Sequence, residues 1–294
     1  MFIVCSFFLN LRMAYLLIAT LFYSINDFLW SIYSKKSGPL ALIQNRSIYT
    51  SIFVGLLFVF YSKDLGLVLE GTNSLKLLGV SSIGFMGLYF LVKGFQQGSI
   101  VQFCIYILLT TTVVGLISNF NNYITLSSFI PSLLCIGFGF GFFIYHQLKT
   151  HLKNSSTYKS HLYFMVAQLF FIVLVLQQYE YLSVFSAVDI AFYQELTVLL
   201  FSSLFLFLKK EKTSFVKQPV QWYEYFLIAL PISIAQLSNL QGLQLTNPFY
   251  EKLFGLLGPV LSVVLAMVLA KERHQFTTYL AFIIMLIGYY FLGL

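Results

Sequence analysis

Ten long apolar runs constrain the fold of this chain more than any other feature of the sequence. A helix needs about 20 consecutive apolar residues to cross the hydrocarbon core of a bilayer. Several connections between runs are only a few residues long, so consecutive helices must lie side by side and antiparallel. The predicted spans are 14–33, 40–61, 77–96, 100–119, 126–146, 162–183, 187–208, 222–243, 250–270 and 276–293.

The composition excludes a soluble globular protein, because 59% of the residues are hydrophobic and only 9% are charged. The net charge of +7 does not indicate nucleic acid, since no basic patch is interleaved with stacking aromatic residues. The expected partner is a lipid bilayer with anionic headgroups. Cys5, Cys104 and Cys135 show no metal or redox spacing, so no disulfide framework, metal or cofactor is predicted. We predict an all-α, multi-pass protein of the cell (inner) membrane.

The two halves of the chain resemble each other in order and spacing. Gly94-Phe95-Gln96 recurs as Gly242-Leu243-Gln244 at an offset of 148 residues, and Gly137 and Gly288 mark the two closing helices. Five is odd, so the second half would enter the bilayer from the opposite side, as an inverted repeat. The predicted organisation is an N-terminal extension (1–13), a first five-helix repeat (14–146), a linker loop (147–161) and a second repeat (162–294), enclosing a central cavity.

Three motifs carry a resemblance to a known family. They are Asn45-Arg46 early in the second span, KGFQQGS at the end of the third span, and GLQLTNPFYEKLFGLLGPVLS…AKERHQFTTYLAFIIMLIG at the end of the chain. Together they resemble the EamA-type branch of the drug/metabolite transporter superfamily over residues 14–294. The resemblance implies a ten-helix carrier that moves metabolites through a central cavity, commonly as an exporter.

The first half departs from the family pattern. Ile100 and Thr111 stand where the second half has Pro248 and Pro259, and Asn121-Asn122 replace the usual Glu after the fourth helix.

Two features indicate opposite orientations of the chain in the membrane. The excess of Lys and Arg in the loops on the side of Lys35 places both termini outside the cytoplasm, whereas the family resemblance implies cytoplasmic termini.

Charged residues inside the predicted spans are the first candidates for a site, because each costs at least ~2.5–3.5 kcal/mol in hydrocarbon. Asp27 and Arg46 lie at similar depth and could pair, and Lys93 ends the third span in the same leaflet. Glu195 takes nearly the Arg46 position of the repeat, and inversion places it in the opposite leaflet. The sequence therefore predicts two polar clusters, one at each mouth of the cavity.

We interpret these residues as substrate-binding or gating groups. Arg46 or Lys93 would hold a carboxylate or a phosphate, and Glu195 or Asp27 would hold an ammonium group or a proton. The alternative is that Asp27 and Arg46 form a fixed structural pair. Protons are a candidate coupling ion, since acidic residues inside a membrane often serve proton relays; exchange and facilitated flow are the alternatives.

Uncharged polar residues give a second set of candidates. Gln236 and Asn239 are three residues apart and share a helix face, which suits a polar zwitterion or a sugar. Gln97 and Tyr193 are further candidates for the cavity. The alternative for each amide is a hydrogen bond between helices, worth only ~0.6 kcal/mol on average.

Backbone breaks predict where the structure bends. Pro248 fits the first turn of the ninth helix, whereas Pro259 falls inside it, where proline kinks the helix. We predict hinges at Pro248, Pro259 and Gly258, beside a cavity, because irregular backbone does not face lipid. Glu180 and Glu251 are predicted to be interfacial.

An enzyme is not predicted, because the sequence has no His or Asp pairs at catalytic or ligand spacing; His146 and His151, for example, are five residues apart. We predict a secondary carrier that exports a small polar metabolite such as an amino acid. Drug exporters, importers and nucleotide-sugar exchangers share the same frame, and a receptor is the non-carrier alternative. A homodimer through the fifth and tenth helices is a further possibility.

Overall fold

The computed structural model describes residues 2–62, 68–123, 129–151, 155–209, 220–269, 271 and 275–291. Within these ranges, side chains are described except at 2–12, 119–123, 148, 150–151, 155–157, 249–250 and 252–253. These ranges contain helices and no strand. The predicted all-α membrane fold is confirmed.

The helices follow the predicted apolar runs. Helices α1 to α8 are each long and apolar enough to span a membrane, and α10 and α11 are shorter apolar helices. The bounds are α1 (Phe2–Tyr33), α2 (Pro39–Tyr61), α3 (Gly71–Gln97), α4 (Ile100–Tyr123), α5 (Phe129–His151), α6 (Ser155–Tyr181), α7 (Ala187–Lys209), α8 (Trp222–Leu245), α9 (Pro248–Gly255), α10 (Leu257–Val268) and α11 (Phe276–Phe291).

Local sequence sets several helix starts. Pro39 and Pro248 are the first residues of α2 and α9, where the missing N–H of proline costs nothing. At the start of α4, the Ser99 amide donates to Gln102 Oε1 (3.1 Å) and the Gln102 amide donates to Ser99 Oγ (3.2 Å). This reciprocal pair satisfies two backbone donors that the first turn of a helix leaves open.

Helix extends beyond the predicted spans in several places. Most of the predicted linker loop, 147–161, is helical, because α5 runs to His151 and α6 begins at Ser155. The predicted extension 1–13 continues directly into the first span, because α1 begins at Phe2. Hydropathy marks where the hydrocarbon ends, whereas the hydrogen-bonded helix can continue past that point.

The most extensive contacts between helices join the first half of the chain to the second half. Helices α1, α2, α3 and α5 make their most extensive contacts with α8, α7, α6 and α11 respectively. Helix α4 packs against α6, α9 and α10. The space between the halves is therefore bordered by helices from both.

Glycines allow the close approach of α5 and α11. A Cβ at Gly139 would lie 2.7 Å from Met285 Cγ, and a Cβ at Gly288 would lie 2.7 Å from Ile136 Cγ1. In contrast, a Cβ at Gly137 would meet nothing within 4 Å. The two helices predicted to form a dimer face thus pack on each other within one chain, and the homodimer itself stays a prediction.

Candidate functional site

The break between α9 and α10 gives the site its irregular backbone. Pro259 has no N–H, and its ring excludes a hydrogen-bonded carbonyl four residues earlier, at Gly255. Helix α9 ends at Gly255, and α10 begins at Leu257. The sequence predicted a kink at Pro259, and the structure places the break about one turn before it, at Leu256.

Two hydroxyl groups of α1 hold this broken segment. Thr20 Oγ1 donates to the carbonyl oxygen of Phe254 (3.3 Å), and Ser24 Oγ donates to the carbonyl oxygen of Gly258 (3.1 Å). Ser and Thr side chains commonly satisfy backbone groups near proline breaks in membrane helices. The contacts fix α1 against the break and place its next turns along the cavity.

A cavity of about 230 Å³ lies between the halves. Its lining residues come from α1 to α4 and from α6 to α10. The volume is below the ~300–1,000 Å³ of pockets for drug-sized ligands, so it suits a small metabolite. The predicted residues that line it are Asp27, Arg46, Glu195, Gln236, Asn239, Gly258 and Pro259.

Arg46 and Glu195 form an ion pair across the two halves. Arg46 Nη1 donates to Glu195 Oε2 at 2.7 Å, and the two residues are only 1% and 2% exposed. Thr50 Oγ1 donates to the same carboxylate oxygen at 2.5 Å. The Arg46 guanidinium carbon also lies 5.7 Å from the centroid of the Trp30 ring. The positive charge is therefore held by one carboxylate and one aromatic face.

The predicted pairing of Asp27 with Arg46 and the predicted separation of Arg46 from Glu195 are both wrong. The error lies in treating inverted positions as distant. Arg46 is four residues from the middle of α2, and Glu195 is three from the middle of α7, so their backbones lie ~6 Å and ~4.5 Å from the two helix centres. The long side chains of Arg46 and Glu195 bridge that gap. The structure therefore has one polar cluster where two were predicted.

Asp27 lies on a stripe of α1 that faces the cavity. Thr20, Tyr23, Asp27 and Trp30 follow helical spacing, and all line the cavity. The structure gives Asp27 no ion pair or hydrogen bond with another described residue. Asp27, Glu195 and Glu251 all belong to the lining of the cavity. Three carboxyl groups therefore border it.

Glu251 corrects another expectation. It was predicted to be interfacial, but it is 7% exposed and lines the cavity. Glu251, Gly255 and Pro259 are spaced four residues apart, so they share the face that borders the break. From that spacing, the sequence could have predicted that Glu251 lies beside the break. Glu180 is exposed, as an interfacial residue should be.

Two lining amides have polar atoms with no hydrogen-bond partner in the described part of the chain. They are Nε2 and Oε1 of Gln236, which is 4% exposed, and Oδ1 of Asn26, which is 3% exposed. A buried polar group without a partner costs ~1–3 kcal/mol. Such groups at a cavity wall are ready to bind a polar ligand.

Residues 158–294 match the model of the EamA-like transporter family. The matched stretch, 137 of the 294 residues, is similar to the members of that family. The fold of the entire chain is also similar to a protein of known crystal structure, with a TM-score of 0.63 and 16% identity over 96% of this chain and 97% of that one. That likeness concerns the fold alone. No curated protein matches the chain.

The apolar helices indicate a multi-pass membrane protein, and the EamA-like match indicates a membrane transporter of the drug/metabolite type. The family is one of transporters, not of enzymes. The match covers α7 to α11 and nearly all of α6, so Glu195, Gln236, Asn239 and the proline break fall inside it. Asp27 and Arg46 come from the half outside the match.

Four predicted site residues do not line the cavity of this EamA-like chain. Lys93 places its Nζ 4.7 Å from the Tyr89 ring centroid and 5.4 Å from that of Tyr163, as a helix-end lysine at the membrane interface does. Gln97 is exposed beside it, and Pro248 begins α9 away from the lining.

Tyr193 has a structural contact instead of a place in the cavity. Its hydroxyl lies 2.8 Å from Ser74 Oγ and donates to the carbonyl oxygen of Val68 (3.3 Å), and the residue is 5% exposed. It therefore ties α7 to the start of α3.

Proposed function

We propose that this chain is a secondary active transporter that exports a small polar metabolite bearing an amino group, such as an amino acid, across the cell membrane by alternating access. The observation that carries the proposal is the cavity of about 230 Å³ between the halves, with charged residues of both halves in its wall. Charged side chains inside membrane spans commonly mark substrate or ion pathways. Export follows the family resemblance.

Equivalent contacts in the two halves support an inverted repeat. A Cβ at Gly94 would lie 2.5 Å from Phe164 Cδ1, and a Cβ at Gly242 would lie 2.5 Å from Leu16 Cδ2. Gly94 and Gly242 differ by 148 residues, and so do Leu16 and Phe164. The offset that relates the two glycines in sequence therefore also relates the residues that they touch.

The helix pairs have the same symmetry. If α9 and α10 are counted as one broken segment, the described helices form ten segments in two sets of five. Replacing each segment by its counterpart five segments away turns the contacting pair α1–α8 into the contacting pair α6–α3. The same replacement leaves the pairs α2–α7 and α5–α11 unchanged. Residues at equivalent positions of α2 and α7 then meet near the axis that relates the halves. The contact between Arg46 and Glu195 agrees with that arrangement.

The broken ninth segment supports a rocking movement. Helix α4 continues through Thr111, whereas its counterpart breaks one turn before Pro259. Broken helices at the substrate site are common in carriers with inverted repeats. We propose that the cavity opens alternately to the two sides by flexing here, with protons as the coupling ion and Asp27 as their acceptor.

Flux in proteoliposomes tests the proposal. Purified protein is reconstituted, and counterflow of labelled amino acids and amines is measured for the native chain, Arg46→Ala and Glu195→Gln. We expect each variant to lower the flux at least about tenfold. Glu180→Gln is the matched control, because Glu180 is exposed and outside the cavity lining. Native flux in both variants would remove the site assignment, and no flux of any solute would favour a receptor.

A further inference from the structure

We infer that the chain binds an anionic phospholipid on its outer surface, with the phosphate of the headgroup held between Lys93 of α3 and Lys209 of α7. The site lies outside the central cavity, since neither lysine belongs to the cavity lining. The inference therefore does not depend on the proposed function. It follows from three observations: two lysines without a carboxylate partner, a tyrosine hydroxyl beside them, and partly exposed aromatic rings below them.

The two lysines contact the same aromatic ring. Lys93 Nζ lies 4.7 Å and Lys209 Nζ lies 5.6 Å from the centroid of the Tyr89 ring, and both distances fall in the usual range of cation–π contact. Neither lysine forms an ion pair with another described residue. Two like charges beside one ring repel each other, so an anion bound between them would stabilise the arrangement.

Helix packing brings these groups to one surface. Helix α3 packs against both α6 and α7, and Lys93 Nζ also lies 5.4 Å from the centroid of the Tyr163 ring of α6. Lys159 is exposed one turn before Tyr163, and the sequence from 209 to 217 holds four lysines and one glutamate. Basic pockets between membrane helices are suited to anionic lipid headgroups. The end of α3, the start of α6 and the end of α7 form such a pocket.

The Tyr89 hydroxyl adds a further hydrogen-bond donor to the pocket. Lys209 Nζ donates to Tyr89 Oη at 3.3 Å. An ammonium group can donate but cannot accept, so the O–H proton of Tyr89 remains available to an acceptor. The unesterified oxygens of a phosphodiester are charged acceptors, and charge-assisted hydrogen bonds are the strong ones. The pocket therefore matches a phosphate group in both charge and hydrogen bonding.

Partly exposed aromatic rings lie on the membrane side of this pocket. Phe205, one turn before the end of α7, is 37% exposed and stacks on Phe85 of α3, with 5.7 Å between the ring centroids. Phe90 of α3 and Phe170 of α6 are both half-buried and stack with 6.0 Å between their centroids. These surfaces suit the acyl chains of a lipid, because apolar contact gains free energy roughly in proportion to its area. A free phosphate ion would gain nothing from them, so we assign the site to a lipid.

A helix-end lysine that only reaches toward the interface is the alternative, and the chain offers a matched control for it. Lys149 is exposed near the end of α5, and its Nζ lies 6.0 Å from the centroid of the Tyr145 ring. The described residues place one lysine over that ring, whereas they place two over Tyr89. Single lysines commonly extend to the interface in this way. If the pair at Tyr89 forms a specific site, its loss should have an effect that the loss of Lys149 does not.

Lipid binding to the purified full-length chain tests the inference. Dioleoyl phosphatidylglycerol and dioleoyl phosphatidylcholine have the same acyl chains and a phosphodiester each, but only the first has a net negative charge. Binding of each lipid to the chain in neutral detergent is measured by native mass spectrometry. We expect phosphatidylglycerol to bind at least about tenfold more tightly than phosphatidylcholine. Lys93→Gln combined with Lys209→Gln should weaken phosphatidylglycerol binding by a similar factor, whereas Lys149→Gln should not change it.

Two further arms identify the ligand and exclude misfolding as the cause of a loss. Lys93→Arg combined with Lys209→Arg keeps both charges and should keep phosphatidylglycerol binding. Phosphatidylglycerol should raise the melting temperature of the native chain, and inorganic phosphate at the same concentration should not. Equal binding of the two lipids, unchanged binding in the double glutamine variant, or an equal loss in Lys149→Gln would overturn the inference. An equal rise with inorganic phosphate would assign the site to a free anion and overturn the lipid.

Discussion

Removing the negative charge of Glu195 while Arg46 remains should destabilise the folded chain strongly. Glu195→Gln preserves the size of the side chain but leaves the guanidinium without its ionic partner. Arg46 is only 1% exposed, and an arginine cannot shed its proton to escape burial. The effect should therefore appear in the free energy of unfolding as well as in transport.

The expected magnitude follows from the geometry. Two unit charges 2.7 Å apart attract by ~6 kcal/mol at an effective dielectric constant of 20. Much of that attraction is offset by the cost of removing both ions from water. Removing one partner leaves the other charge buried and unpaired, which costs ~3–5 kcal/mol. We expect Glu195→Gln to fall in that range.

A double-mutant cycle separates the pair from the separate effects of each substitution. Glu195→Gln, Arg46→Gln and the double variant are unfolded in mixed detergent, and Trp fluorescence follows the transition, because Trp30 lies beside Arg46. The double variant should be less destabilised than the sum of the two single variants by at least ~1 kcal/mol. Glu180→Gln, at an exposed position, should change the free energy of unfolding by less than ~0.5 kcal/mol.

Additive effects in the cycle would contradict the reasoning, because they would show that the two side chains do not interact. A native free energy of unfolding in Glu195→Gln would contradict it equally, since it would mean that water reaches Arg46.

Three further predictions follow from the packing. Gly94→Ala should lower the melting temperature, because its Cβ would lie 2.5 Å from Phe164 Cδ1, whereas Gly137→Ala should not, because its Cβ would meet nothing within 4 Å; the expected cost at Gly94 is ~1–3 kcal/mol in calorimetry. Pro259→Ala should restore the backbone donor, protect amides near the break in hydrogen exchange and lower the flux; unchanged exchange there would refute the proline as the cause. Tyr193→Phe should cost ~1 kcal/mol of stability without changing ligand affinity, and a large loss of affinity would place it in the site after all.

The sequence was sufficient to predict the helices and much of the site. Apolar runs near the length of a bilayer span gave α1 to α8, and charge inside hydrocarbon identified Asp27, Arg46 and Glu195 as lining residues. These inferences work because the cost of burying charge or backbone in lipid is large and local.

The sequence was not sufficient to predict which residues meet. Arg46 was expected beside Asp27 but pairs with Glu195, because side chains several ångströms long bridge positions that the repeat places on either side of the middle of the membrane. Lys93 contacts two tyrosines instead of the cavity. Such choices depend on the rotation of each helix about its own axis, which packing with distant segments sets.

Access to the cavity from both sides of the membrane is the central claim, and thiol labelling tests it most directly. Thr111 lines the cavity, and among the described residues its hydroxyl bonds only to the carbonyl oxygen of Ile107 in its own helix. Thr111→Cys in a chain lacking the native cysteines is therefore a mild probe. Val59→Cys is the control. Val59 is 65% exposed on a candidate membrane span, so we expect lipid to cover this cysteine and prevent its reaction. In oriented vesicles, a membrane-impermeant thiol reagent should label Cys at position 111 from either side, more slowly when a transported solute is bound. Labelling from one side under every condition, or from neither, would contradict the account.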